Sequence, residues 1–174
     1  GLGDVYKRQA VHGDTKVELV TEALRRTAHL EGIPVRFGGS LPPSASRTTL
    51  RMAVDENGRL GLRKSHSHDI VALEDCLVAH EMLVEMLADA RVDGASEVTM
   101  RCGVSSGERG VWLHDDKGRD AKGASITGLP RDVKIGRRAV VHETVHGVSL
   151  QVSMPAFFQT SAIAVSYTHL RAHE

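Results

Sequence analysis

Cysteine is scarce: the 174 residues hold two, Cys76 and Cys102. Two cysteines are too few for a disulfide framework. A surplus of either charge is also missing, since 22 Lys and Arg stand against 22 Asp and Glu. That balance excludes a global basic field, so any nucleic-acid surface must be local. No apolar run is long enough to span a membrane, and no internal repeat is present. The expectation from these absences is a cytoplasmic protein of about one domain, with no membrane partner. Aromatic residues are few as well: one Trp, two Tyr and three Phe.

Both tyrosines lie in end segments that do not read as natural protein. Asp4-Val5-Tyr6-Lys7-Arg8-Gln9 back-translates to GAT GTG TAT AAG AGA CAG, the recognition end of a transposase used in DNA library preparation. Val165 to Glu174 back-translates to the reverse complement of the same oligonucleotide. Residues 1–9 and 165–174 are therefore expected to be adapter-derived, and the natural stretch to run from Ala10 to Ala164. That stretch is expected to be an incomplete fragment of a multidomain enzyme.

What is present reads as α+β: an N-terminal helix, then mostly antiparallel strands with one further helix. Residues 14 to 31 carry Val17, Val20, Leu24 and Ala28 at helical spacing, with Asp14 as N-cap and Gly32 and Pro34 as the stop. Gly38 to Ser46 reads as a loop. From Thr48 to Lys64, Leu50, Met52 and Val54 alternate with Thr49, Arg51 and Ala53. Asp55-Glu56-Asn57-Gly58 then turns into Leu60 and Leu62. His80 to Ala90 reads as the second helix, with Met82, Leu83, Met86 and Leu87 inward. Ser96 to Gly103 and Gly110 to His114 read as strands. Ala139 to Val145 and Val148 to Ser153 read as a hairpin turning at His146-Gly147, with a helix starting at or soon after Pro155. Residues 115 to 136 give weak signals.

Several clusters could carry chemistry. The hairpin collects Arg51, Arg59, Arg63 and Lys64, which fit either a solvated charged face or a phosphate-contacting one. In Ser65-His66-Ser67-His68-Asp69, alternating histidines would share a strand face. Asp69 comes too early for the His-x-His-x-Asp-His metallohydrolase pattern, and a catalytic zinc needs more ligands. His142-Glu143-Thr144-Val145-His146 matches the zinc-protease motif literally. That motif needs a helix, whereas the surrounding valines favour a hairpin. Cys76 and Cys102, taken alone, read as packing.

Three segments in order resemble a known family. They are Arg47 to Asp55, then Gly58 to Lys64 with Ser67-His68-Asp69-Ile70-Val71 through Cys76, and finally Val152-Ser153 with Phe157-Phe158-Gln159. Together they resemble the S-adenosylmethionine-dependent RNA (uracil-5-)methyltransferases, of an actinobacterial type. The resemblance implies that residues 10–39 form a helix packing on a methyltransferase domain. It makes residues 40–153 a central α+β domain and residues 154–164 the start of the methyltransferase domain. It implies that Gln159 contacts S-adenosylmethionine, that the partner is rRNA or tRNA, and that the protein is a monomer. Cys76 matches the fourth ligand of a [4Fe–4S] cluster carried by many members, and such a cluster takes four thiolates. Family members carry Ser where this sequence has Ala156.

The family's reaction uses a cysteine thiolate that adds to carbon 6 of uracil and a base that removes the carbon 5 proton. Neither residue matches a position here, so the 174-residue chain is expected to be inactive by itself. Two other readings compete: a non-catalytic RNA-binding module, and a zinc hydrolase built on His142, Glu143 and His146.

Overall fold

The computed structural model describes residues 2–38, 42, 44–159 and 164–165, with side chains from residue 13 onward. Most of the 165–174 segment and residues 160–163 lie outside the described residues. The chain divides into two compact units, Gly1–Pro43 and Ser44–Glu174.

The first unit is built on α1 (Leu2–Thr27). The helix starts well before the expected Asp14 cap, because nothing from Asp4 to Gly13 breaks it, and Asp14 lies inside it. It ends at Thr27 rather than Glu31. His29 takes a left-handed backbone (φ 54), and the Leu30 amide turns back to the Leu24 carbonyl at 3.1 Å. Phe37 packs its ring where Gly13 has no side chain; a Cβ there would lie 3.3 Å from the ring. The expected apolar stripe is only partly covered: Val17 and Leu24 are half-buried and Val20 is exposed.

The second unit is an α+β domain. A six-stranded sheet runs β3-β2-β1-β5-β6-β8. Its strands are β1 (Thr49–Val54), β2 (Leu60–Arg63), β3 (Ile70–Ala72), β5 (Glu97–Cys102), β6 (Arg109–His114) and β8 (Val133–Ile135). All its pairings are antiparallel except β6 with β8. Two small ladders join it: β4 (Arg91–Asp93) with β7 (Ser125–Thr127), and β9 (Val140–Val145) with β10 (Val148–Ser153). Among the described residues no helix is long and apolar enough to cross a membrane.

Alternation fixes the core. Leu50 and Met52 of β1, Val98, Met100 and Cys102 of β5, and Val111 and Leu113 of β6 point to one face. There α2 (Glu81–Ala88) lays down Leu83, Met86 and Leu87, with Met82 at the margin. His80 caps this helix, its Nδ1 accepting the Met82 amide at 3.3 Å. Leu62, expected on the aliphatic face, is 49% exposed near the sheet's edge. Gly61 is required there: a Cβ would sit 2.3 Å from the Val71 carbonyl oxygen of β3.

The β9–β10 hairpin closes through His146 and Gly147, at φ 50 and 78. Two consecutive positive φ values are what a two-residue hairpin turn needs to match strand twist. Among the described residues no helix starts at Pro155 itself: residues 154–156 make a turn, 157–159 are irregular and 164–165 are helical, while 160–163 lie outside the described residues. The Arg101 guanidinium holds this stretch by its carbonyls.

Leu83 is fully buried, so Leu83→Ala is expected to destabilise the chain by about 2–5 kcal/mol in urea unfolding. A loss below about 1 kcal/mol would mean that α2 does not anchor the core.

Candidate functional site

The face of the sheet turned away from α2 is polar. Register places Arg51 opposite Thr99, and Thr99 opposite Trp112. Glu97 lies opposite both Ala53 and His114. Arg51 and Arg63 converge on Glu97, by Nε to Oε2 at 2.6 Å and Nη2 to Oε1 at 3.3 Å. These residues line a shallow depression of about 220 Å³. Arg59 and Lys64 are not part of this convergence. Arg59 bonds Asp55 at 3.0 Å and lines a different cleft, with Ala88 and Arg91 at the end of α2. Lys64 bonds Asp69 at 3.3 Å.

All four cations are thus paired, with side chains 39–56% exposed. Surface pairs of this kind contribute little, about 0–1 kcal/mol each, so a phosphate can compete for the guanidinium.

Behind Arg51 sits a packed polar cluster that sequence reasoning missed. The Trp112 and His114 rings lie 4.3 Å apart, and the Arg137 guanidinium stands 5.9 Å from the indole. The indole N–H donates to Asp120 at 2.7 Å. His114 Nδ1 lies 2.8 Å from the Asp115 carbonyl oxygen, which can only accept, so Nδ1 carries the proton. In the neutral ring, Nε2 then accepts the Thr99 hydroxyl at 2.9 Å. The signal was available in the sequence: Thr99, Trp112 and His114 share the strand parity of Arg51.

The zinc-hydrolase reading is overturned. His142 and Glu143 lie on β9 and His146 lies in the turn, so no helix brings two histidines together. The β-branched run Val140, Val141, Thr144, Val145 favours a strand. Glu143, 3% exposed, is occupied as a loop organiser, accepting the Val104 and Ser105 amides at 2.7 and 3.1 Å. Among the described residues no group of three or more His, Cys, Asp or Glu could hold a metal ion. The Ser65–Asp69 stretch is a turn, with His66 at φ 57, so its histidines do not share a strand face.

His142 belongs instead to a clamp around Glu108. That carboxylate accepts from Lys134 Nζ at 2.5 Å, and from the His142 amide at 2.6 Å, with His142 Nδ1 at 2.8 Å. The Lys134 hydrogen bond, seconded by His142 and opposed by partial burial, holds the Glu108 pKa down at about 2.

The cysteines separate. Cys102 is in the core, where burial, reinforced by the Glu143 charge, pushes its thiol up to about 12. Cys76 is half-buried between β3 and α2. The Phe157-Phe158-Gln159 segment follows β10, with Phe157 88% exposed and Gln159 half-buried.

No protein-family model matches the chain. It is 30% identical over 145 residues to an uncharacterized RNA methyltransferase of Streptomyces coelicolor, covering 76% of this chain and 31% of the relative. It is 26% identical over 174 residues to an uncharacterized RNA methyltransferase of Streptomyces avermitilis, covering 86% of this chain and 40% of that one. The chain resembles RNA methyltransferases. It spans about a third to two fifths of the length of the curated relatives it matches. Its fold is similar to the crystal structure of the Pyrococcus abyssi tRNA (uracil-54, C5)-methyltransferase in complex with S-adenosyl-L-homocysteine. There the TM-score is 0.59 at 15% identity, over 92% of this chain and 47% of that one.

Glu108 supplies a pH test. Its folded-state pKa of about 2 lies below the ordinary 4.5, so its contribution to stability is full above that ordinary value and disappears as pH falls towards the lower one. The stability gap between the wild-type chain and Glu108→Gln is therefore expected to close across that window in urea unfolding. A gap independent of pH would remove the clamp from the account.

Proposed function

We propose that the chain is the central part of a longer S-adenosylmethionine-dependent RNA methyltransferase acting on carbon 5 of uridine in rRNA or tRNA. The observation that carries this reading is the 145-residue similarity to a relative named as an RNA methyltransferase. The Pyrococcus neighbour, a tRNA uracil-C5 enzyme with S-adenosylhomocysteine bound, supports the finer assignment through its fold. On this reading residues 10–39 pack on a methyltransferase domain, residues 40–153 are the central domain and residues 154–164 begin the catalytic one. The protein works as a cytoplasmic monomer.

Arg51 and Arg63 receive RNA phosphates at the Glu97 depression, trading a weak surface pair for a charge-assisted one. Arg59, in its separate cleft, and Lys64, paired with Asp69, are further cationic contacts. Gln159 suits the donor site chemically: it is half-buried and its amide both donates and accepts. S-adenosylmethionine, when bound, supplies an electrophilic methyl group.

Cys102 does not suit the role of nucleophile. Cys102 is held as a buried thiol, and a thiol is not the attacking species. For the [4Fe–4S] cluster that the resemblance implies, Cys76 would supply one thiolate of the four such a cluster takes.

The test is methylation of unmodified RNA by the intact protein with labelled S-adenosylmethionine, read as 5-methyluridine by nucleoside mass spectrometry. Label in that nucleoside is expected. RNA binding without methyl transfer would make the protein a non-catalytic RNA-binding module. In the same protein, the Arg51→Ala, Arg63→Ala double variant is expected to weaken RNA binding about 10-fold. It should also reduce the log–log salt slope by about 1.4, the share of two single-strand phosphate contacts. An unchanged slope would make the hairpin face a solvated one.

A further inference from the structure

Arg101 is a charged residue placed where a sheet would ordinarily carry packing. It sits on β5 between Thr49 of β1 and Gly110 of β6, and is 4% exposed. No carboxylate bonds it among the described residues. Burial alone pulls its pKa below the ordinary arginine value. An unpaired buried charge is costly, and an apolar residue of similar volume would serve packing better. Its hydrogen bonds explain the expense. Nη1 donates to the Ser153 carbonyl at 2.9 Å and Nη2 to the Ala156 carbonyl at 2.8 Å. Nε has no partner among the described residues, so the guanidinium is directed wholly at this one turn.

The same turn is tied from its other sides. The Met154 amide donates to the Ala139 carbonyl at 3.1 Å, and the Ala156 amide to the Ser153 carbonyl at 3.1 Å. Met154 sulfur rests over Gly110, 2.7 Å from where a Cβ would be. Beyond the Ala156 carbonyl the chain becomes irregular and carries Phe157, Phe158 and Gln159. Arg101 is thus the last side-chain anchor before the segment read as meeting the methyl donor.

We infer that Arg101 is a positioning residue for the methyl-donor site, holding the 153–156 turn so that Gln159 is presented to S-adenosylmethionine. This rests on the proposed function, and it assigns a donor-site role to a residue of the central sheet. Arg101 does not touch the donor; it acts through the backbone that carries Gln159.

Two measurements test it. In the 174-residue chain, amide hydrogen exchange at Met154 and Ala156, the two hydrogen-bonded amides of the turn, is expected to speed up about 10-fold or more in Arg101→Met, with β5 and β6 amides unchanged. Should Arg101→Met unfold the whole domain, Arg101→Lys decides. Its ammonium can keep one carbonyl bond, and partial protection of Met154 and Ala156 is expected.

In the intact protein, calorimetry with S-adenosylhomocysteine is expected to show about 10-fold or more weaker binding in Arg101→Met, with RNA affinity unchanged. In methylation assays the donor KM should rise more than kcat falls. Arg109→Met removes another largely buried arginine, one paired with Glu85 and Asp132. It should lower stability without altering S-adenosylhomocysteine affinity. A wild-type protein that binds no S-adenosylhomocysteine would defeat the proposed function. A wild type that binds it as tightly as Arg101→Met does, with exchange at Met154 and Ala156 unaltered, would defeat the role of Arg101 alone.

Discussion

The alternation of β5 is the constraint on which the second unit depends. Val98, Met100 and Cys102 face α2 and make the apolar core, while Glu97, Thr99 and Arg101 face the other way. A slip of one residue would bury Glu97 under α2 and expose Met100. β5 pairs with β1 on one side and β6 on the other, so both neighbours inherit its parity. That is how Arg51 and Trp112, distant in sequence, come to flank Thr99.

Each polar residue on that second face has a separate task. Glu97 gathers Arg51 and Arg63 at an exposed depression. Thr99 donates to His114, whose tautomer the Asp115 carbonyl fixes. Arg101 reaches across to the turn after β10. Outside the sheet, two carboxylates hold loops rather than perform chemistry: Glu143 organises residues 104–105, and Glu108 clamps β9 through His142 and Lys134. Those bonds account for the acid–histidine spacing that resembles a metal motif.

Long elements were legible in the sequence because their period was. Leu50, Met52 and Leu60 announced a half-buried hairpin, and the valines around His146-Gly147 announced another. The short strands β3, β4, β7 and β8 were not, because three residues carry too little alternation to count. Asp14 misled because a capping residue in mid-helix looks the same as one at a start. Arg51 and Arg63 could be named as one patch from period two. Arg101 could not be singled out: an arginine on the polar parity of a strand reads as solvated. Nothing local says that residues 153–156 fold over it. The Phe157-Phe158-Gln159 segment was found by resemblance, and its attachment to the sheet was found by structure.

The polar face as the RNA side is the central claim, and the chain carries its own reporter there. Trp112 is its one tryptophan and lies beside Thr99, one strand from Arg51. The most direct measurement is Trp112 fluorescence in the intact protein, using a variant whose only tryptophan is Trp112. It is titrated with a uridine-containing single-stranded RNA at low salt, while anisotropy of labelled RNA reports binding independently. The account predicts an emission change that saturates with binding and reverses as salt is raised. Bound RNA with unchanged Trp112 emission would place the RNA elsewhere and contradict it.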